Sequence, residues 1–207
     1  MKKFVSLAAT LVLAGAGLLA ASPASAATSG CAGTLSNKTV LGHLSVPAGK
    51  VCTLNDSRVY GNITLGKGAA LRVKDGELSG NVIATNSPWD VKLERTTVRG
   101  NVSVSSARWL TLASTRLGGK LTANGVSGRA WVTSSTISGN VTVTRAAAVG
   151  LRSTTVYGSL RVDSSKGVAL EKNRVWGNLA CAKNSQAPRG TGNKVTGTKS
   201  GQCRTLR

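Results

Sequence analysis

The chain has 207 residues, with 27 Lys+Arg against 7 Asp+Glu, a formal net charge of +20 and 3% aromatic residues. One domain accommodates this length. Such a cation excess sets aside basic partners and favours anionic ones through long-range attraction. A single His and 4 Cys leave little material for a histidine- or cysteine-based metal or catalytic centre.

Lys2 and Lys3 open the chain, Phe4 to Ala21 is apolar or small without charge, and Ala24-Ser25-Ala26 supplies a small-residue cleavage pattern. This arrangement predicts a cleaved signal peptide over 1–26 and a secreted or envelope-associated mature protein beginning at Ala27. No later stretch is long and apolar enough to predict a second span. Removing Lys2 and Lys3 leaves 25 basic against 7 acidic residues, a net charge of about +18. The expected partners are anionic wall polymer or polysaccharide, with no specific nucleic acid indicated. The same charge would also serve simply to keep a Thr- and Val-rich protein soluble.

Cys31, Cys52, Cys181 and Cys203 lie near the two ends, and neither pair has C-x-x-C spacing. An even count in an exported chain predicts disulfides.

A glycine recurs at Gly42, Gly61, Gly80, Gly100, Gly119, Gly139, Gly158 and Gly177, with a weaker echo at Gly197, in steps of 19 or 20 residues. Two residues before it stand Val40, Val59, Leu78, Val98, Leu117, Ile137, Val156, Val175 and Val195, aliphatic throughout. Aliphatic columns also fall two residues after it (Leu44, Ile63, Val82, Val102) and seven before it (Leu54, Val73, Leu93, Leu112). A fourth column, nine before, runs Cys52, Leu71, Val91 and Leu110. Apolar residues two apart are strand periodicity. Three such pairs per unit predict three short strands per coil. In the third pair, the position four before the glycine is small and polar: Ser57, Gly76, Thr96, Thr115, Ser135, Thr154 and Asn173.

One coil cannot enclose its own aliphatic side chains, but coils about 4.8 Å apart can, each strand hydrogen-bonding its neighbours above and below. The predicted fold is therefore all-β: a single-stranded right-handed parallel β-helix of about eight coils of 19–20 residues. Handedness follows from the strong bias of parallel crossovers. The helix is expected over 40–181, with an N-terminal cap at 27–39 and a basic C-terminal cap at 182–207. Ser and Thr hydroxyls are expected to bond along the stack. Gly-Asn pairs such as Gly61-Asn62 are expected at a corner needing positive φ, with stacked Asn amides. Cys31 to Cys52 and Cys181 to Cys203 each span one coil length, predicting end staples that protect exposed strand edges.

The runs Val59-Tyr60-Gly61-Asn62-Ile63-Thr64-Leu65 and Val98-Arg99-Gly100-Asn101-Val102-Ser103-Val104 resemble those of the bactofilins, polymer-forming bacterial β-helix proteins. The likeness is one of repeats and covers 40–181. It implies a β-helix and raises a self-assembling scaffold as an alternative function. The family is cytoplasmic and free of disulfides, and this chain departs on both counts. In overall style it is similar to exported β-helix proteins of Gram-positive bacteria.

Parallel β-helices also carry polysaccharide lyases and glycoside hydrolases, so the acids matter. Asp56 and Asp75 occupy equivalent places in successive coils, with Arg95 next in the column. They form either a carboxylate pair for glycoside cleavage or a solvated charge column. The latter is expected, and so is a chain that is not an enzyme and needs no cofactor or metal. His43 takes the Asn corner position of its coil, a structural place. Outward Thr64, Thr122 and Thr142 are interrupted by Ile83 and ended by Arg161, which speaks against an ice-binding row.

Trp89, Trp109 and Trp131 are 20 and 22 residues apart and should fall near one edge on three successive coils, beside Arg108 and Arg129. Exposed indoles with flanking arginines suit sugar rings bearing acidic groups. These five residues are the candidate ligand site. The alternative is that each indole covers an apolar corner. Tyr157 and Trp176 form a second, weaker pair. The expectation is a monomeric, non-enzymatic envelope or matrix protein that binds anionic polysaccharide.

Overall fold

A computed structural model describes residues 28–206; the segment 1–26, expected as a signal peptide, lies outside the described residues. Among the described residues there is no helix, and the strands form three parallel sheets of 10, 8 and 9 strands. As far as Leu179–Ala182 each sheet takes every third strand in order, so the backbone winds round one axis as a right-handed parallel β-helix; the last coil adds a strand to only two of the sheets. We call these sheet 1 (for example Val102–Ser105), sheet 2 (Asp90–Glu94) and sheet 3 (Thr97–Val98).

The alternation in Asp90–Glu94 shows why these segments are strands. Val91 and Leu93 are wholly buried, while Asp90, Lys92 and Glu94 are half-buried on the outer face. Identical positions then stack. Leu78 is in register with both Val59 and Val98, and Leu93 with both Val73 and Leu112. The repeat columns are therefore vertical files within one continuous core. Burying each large aliphatic side chain contributes roughly 1.5–3 kcal/mol.

The ladder runs into both segments expected as caps. Thr28–Gly30 pairs with His43–Val46 and Gly33–Ser36 with Val51–Asn55. At the other end Lys194–Val195 and Lys199–Gly201 still pair onto the stack. Cys31–Cys52 and Cys181–Cys203 are bonded as their spacing predicts, with Cα atoms 5.5 and 5.2 Å apart.

The recurring glycine does not serve the purpose read from the sequence. Gly61, Gly80, Gly100, Gly119, Gly139, Gly158 and Gly177 are not in the positive-φ region. The requirement is space: a Cβ on Gly139 would lie 2.7 Å from the carbonyl oxygen of Gly119 in the preceding coil. Positive φ instead falls five residues earlier, at the corner between sheets 2 and 3. There Asp56, Asp75, Arg95, Ser114, Ser134, Ser153 and Lys172 have φ of 45 to 54°. Asp is among the residues that enter this region at least cost.

The small polar file at that corner is buried, and its bonds go to backbone rather than from hydroxyl to hydroxyl. Thr115 Oγ1 shares its hydrogen between the carbonyls of Leu93 (3.0 Å) and Ala113 (3.2 Å). Ser135 Oγ accepts from the Thr115 N–H at 3.0 Å and donates to the Thr133 carbonyl at 2.7 Å. The Ser135 hydroxyl thus supplies the acceptor for the Thr115 N–H, while the Ala113 and Thr133 carbonyls also accept the backbone N–H groups of Arg95 and Ser114. No buried side-chain nitrogen or oxygen lacks a partner among the described residues.

Candidate functional site

The Asn file behaves as expected and absorbs the histidine. Asn62 Oδ1 accepts from the Asn81 N–H at 2.8 Å, and Asn81 Oδ1 accepts from the Asn101 N–H at 2.8 Å. His43 Nδ1 accepts from the Asn62 N–H at 3.0 Å, doing for its coil what an Asn oxygen does for the others.

The acid column is an ion-pair column. Arg95 Nε and Nη2 donate to the two Asp75 carboxylate oxygens at 2.6 and 2.9 Å. These bonds hold the Asp75 carboxyl below its ordinary range, and the guanidinium is correspondingly harder to deprotonate. A general acid for glycoside cleavage needs the opposite shift. Glu77 lies between Arg58 and Arg99. Lys92 pairs with Glu94, Arg152 with Glu171 and Arg161 with Asp163. Asp90 pairs with Arg72 at 3.4 Å, yet burial outweighs the guanidinium and pushes its carboxyl up. Nearly every acid thus already has a basic partner, and the remaining excess at the surface is cationic.

The three tryptophans do not share one vertical edge. Strand register places Trp109 opposite Asp90 and Arg129, whereas Trp131 is opposite Thr111 and Gly150. Trp89 lies just outside Asp90–Glu94. Three successive coils therefore carry the indoles on a diagonal that starts at the sheet 1–sheet 2 corner and moves onto the outer face of sheet 2.

Each indole is set against the following coil. The Arg108 guanidinium lies over Trp89, 4.4 Å from its ring centroid, and 5.7 Å from that of Trp109. Trp109 approaches Gly128, where an added Cβ would lie 2.9 Å from its Cζ3. Trp131 lies across Gly150 so closely that a Cβ there would overlap the six-membered ring. Arg129 is exposed and in register with Trp109. The structure thus brings Trp89, Arg108 and Trp109 into one contact set, with Arg129 beside it and Trp131 two residues further along the face. Trp89 is 49% exposed, so the set is open to solvent at its outer end.

Beyond Trp131 is a feature that the sequence reading missed. The outward positions of the next two strands are Ala148 and Gly150, then Gly167 and Ala169. This lack of bulk leaves two open hollows, one on each side of Trp131. The first, about 390 Å³, reaches Arg152 and Glu171; the second, about 250 Å³, reaches Gln186, Ala187 and Arg189 of the C-terminal segment. Reading the outward columns as closely as the inward ones would have found this patch.

A second aromatic set lies at the corner between sheets 3 and 1. Tyr157 and Trp176 stack with centroids 6.1 Å apart and planes 10° apart, and Arg174 lies 4.4 Å from the centre of the Trp176 ring. Among the described residues no group of three or more His, Cys, Asp or Glu could hold a metal ion, and no helix is long and apolar enough to cross a membrane. Comparison with known protein families, curated proteins and solved structures finds no match.

Proposed function

We propose that this is a secreted, non-enzymatic β-helix that associates with the cell envelope or extracellular matrix by binding anionic polysaccharide or wall polymer. Two disulfides fit an oxidising compartment outside the cytoplasm. The observation that carries the reading is the Arg108 guanidinium lying against both Trp89 and Trp109 at an exposed corner. An indole offers an apolar face to a sugar ring, and an arginine held beside it offers a rigid fork to a carboxylate or phosphate.

The charge balance supports the same reading. With Asp75, Glu77, Asp90, Glu94, Asp163 and Glu171 all ion-paired, the unneutralised side chains are overwhelmingly Lys and Arg. A rigid, strongly cationic rod draws polyanions at long range, and the indoles would then select among them. Co-sedimentation with purified cell wall and with anionic glycan across a salt series tests the proposal. Retention at low salt that weakens steeply with salt is expected, and no retention at low salt rejects it.

A further inference from the structure

The hollows flanking Trp131 lie apart from the Arg108 contact set, and their chemistry is narrower. We infer that Trp131 and the two hollows beside it form a subsite for a pyranose ring carrying a carboxylate, that is, one residue of a polyuronate chain. The inference rests on the anionic-polymer reading above and names the place and sugar class for it.

Trp131 lies over Gly150, one strand beyond its own, with Cζ3 and Cε3 of its ring where a Cβ would stand. An aromatic ring covering a cross-strand glycine has a stabilising role of its own, and that role accounts for Gly150 alone. It does not account for the absence of bulk at Ala148, Gly167 and Ala169, which leaves open space against the indole in both hollows. Ligand clefts and cavities run to roughly 300–1,000 Å³. Hollows of about 390 and 250 Å³, open to solvent, fall at or just below the low end of that range, a size for single rings laid along a surface.

The polar groups at the margins point to an acidic sugar. Arg152 and the exposed Arg189 stand on opposite sides of the indole, and either can take a carboxylate through two parallel N–H donors. Glu171, paired with Arg152 at 3.6 Å, is placed to accept from a ring hydroxyl. A polyol phosphate offers the arginines an anion but offers the indole no ring face. The geometry therefore favours a uronate over a ring-free polyanion.

The test uses the full mature chain, titrated with oligogalacturonate and, separately, with inorganic polyphosphate of matched charge. Two variants are compared with the parent: Trp131→Ala, and Ala169→Gln, which fills a hollow from the outward side of the strand, adds no charge and leaves the core untouched. The parent is expected to bind oligogalacturonate more tightly than polyphosphate. Each variant should lose about ten-fold in oligogalacturonate affinity, in line with one lost ring stack, while polyphosphate affinity changes by less than about two-fold. Oligogalacturonate binding that survives both substitutions overturns the subsite, as does equal loss of both ligands in folded variants. Equal affinity of the parent for the two polyanions also overturns it. Failure of the parent to bind either polyanion at low salt is a distinct result and removes the wider reading as well.

Discussion

Asn62 Oδ1 receives two hydrogen bonds from Asn81, from its backbone N–H at 2.8 Å and its side-chain amide at 3.0 Å. The same pair of bonds recurs between Asn81 and Asn101, at 2.8 and 3.1 Å. The amide thus stitches one corner to the next at the level where the glycine backbones meet.

Asn81→Ala removes the acceptor for the Asn101 N–H and should cost about 1–2 kcal/mol. His43→Asn should leave stability unchanged within about 0.5 kcal/mol, because the substituted amide can accept from Asn62 as the imidazole does. Chemical denaturation of both variants checks this, and a large loss in His43→Asn would show that the ring has some further role.

Leu93 is fully buried and stacked between Val73 and Leu112. Leu93→Ala should destabilise by about 2–5 kcal/mol, since a rigid stack relaxes little around a cavity. The outward Lys92 of the same strand serves as the control, and Lys92→Ala should stay within about 0.5 kcal/mol in the same denaturation measurement.

The two acids with shifted titrations should respond to pH in opposite senses. Asp75 titrates below its ordinary value of 3.8, so its pair with Arg95 stabilises the fold above that pH and stops doing so as pH falls through the lowered value. Asp75→Asn should therefore be less stable than the parent near neutrality, the difference closing in acid. Asp90 titrates above 3.8 because burial penalises its charge, so ionisation works against the folded state. Asp90→Asn should compare most favourably with the parent near neutrality, and that advantage should shrink as acid protonates the parent. Melting curves from pH 7 downward measure both trends, and parallel trends would contradict the assignment.

Cys31–Cys52 closes a loop of sequence separation 21. Replacing both residues with Ser should cost roughly 3 kcal/mol by loop entropy. In a stack whose coils contact only their neighbours the loss should be local. Hydrogen exchange should accelerate over Thr28–Gly30 and Gly33–Ser36 and change little at Leu112.

The inward half of the molecule was legible in the sequence because period-two aliphatics permit one solution: stacked strands facing a common axis. Val59, Leu78 and Val98 could be placed without a structure for that reason. The cysteine pairs followed from the coil length. The glycine's reason did not follow, since sequence registers a missing Cβ without saying whether torsion or crowding excludes it. Trp131 was harder still. Its offset of two positions relative to Trp109 looks like imperfect alignment in a list of intervals, but on a pleated surface an offset of two keeps a side chain on the same face and shifts it sideways. The hollows beside it depend on what Ala148, Gly150, Gly167 and Ala169 lack, which no motif records.

The abutting glycine corners make the rod a ratchet with whole-turn teeth. Splicing Gly139 directly to Ser159 excises one full winding, residues 140–158, and should bring matching notches back into mesh. A shortened rod with a β-sheet circular dichroism spectrum is the expected product. Excising half as many residues leaves every later tooth out of phase, and that chain should not fold.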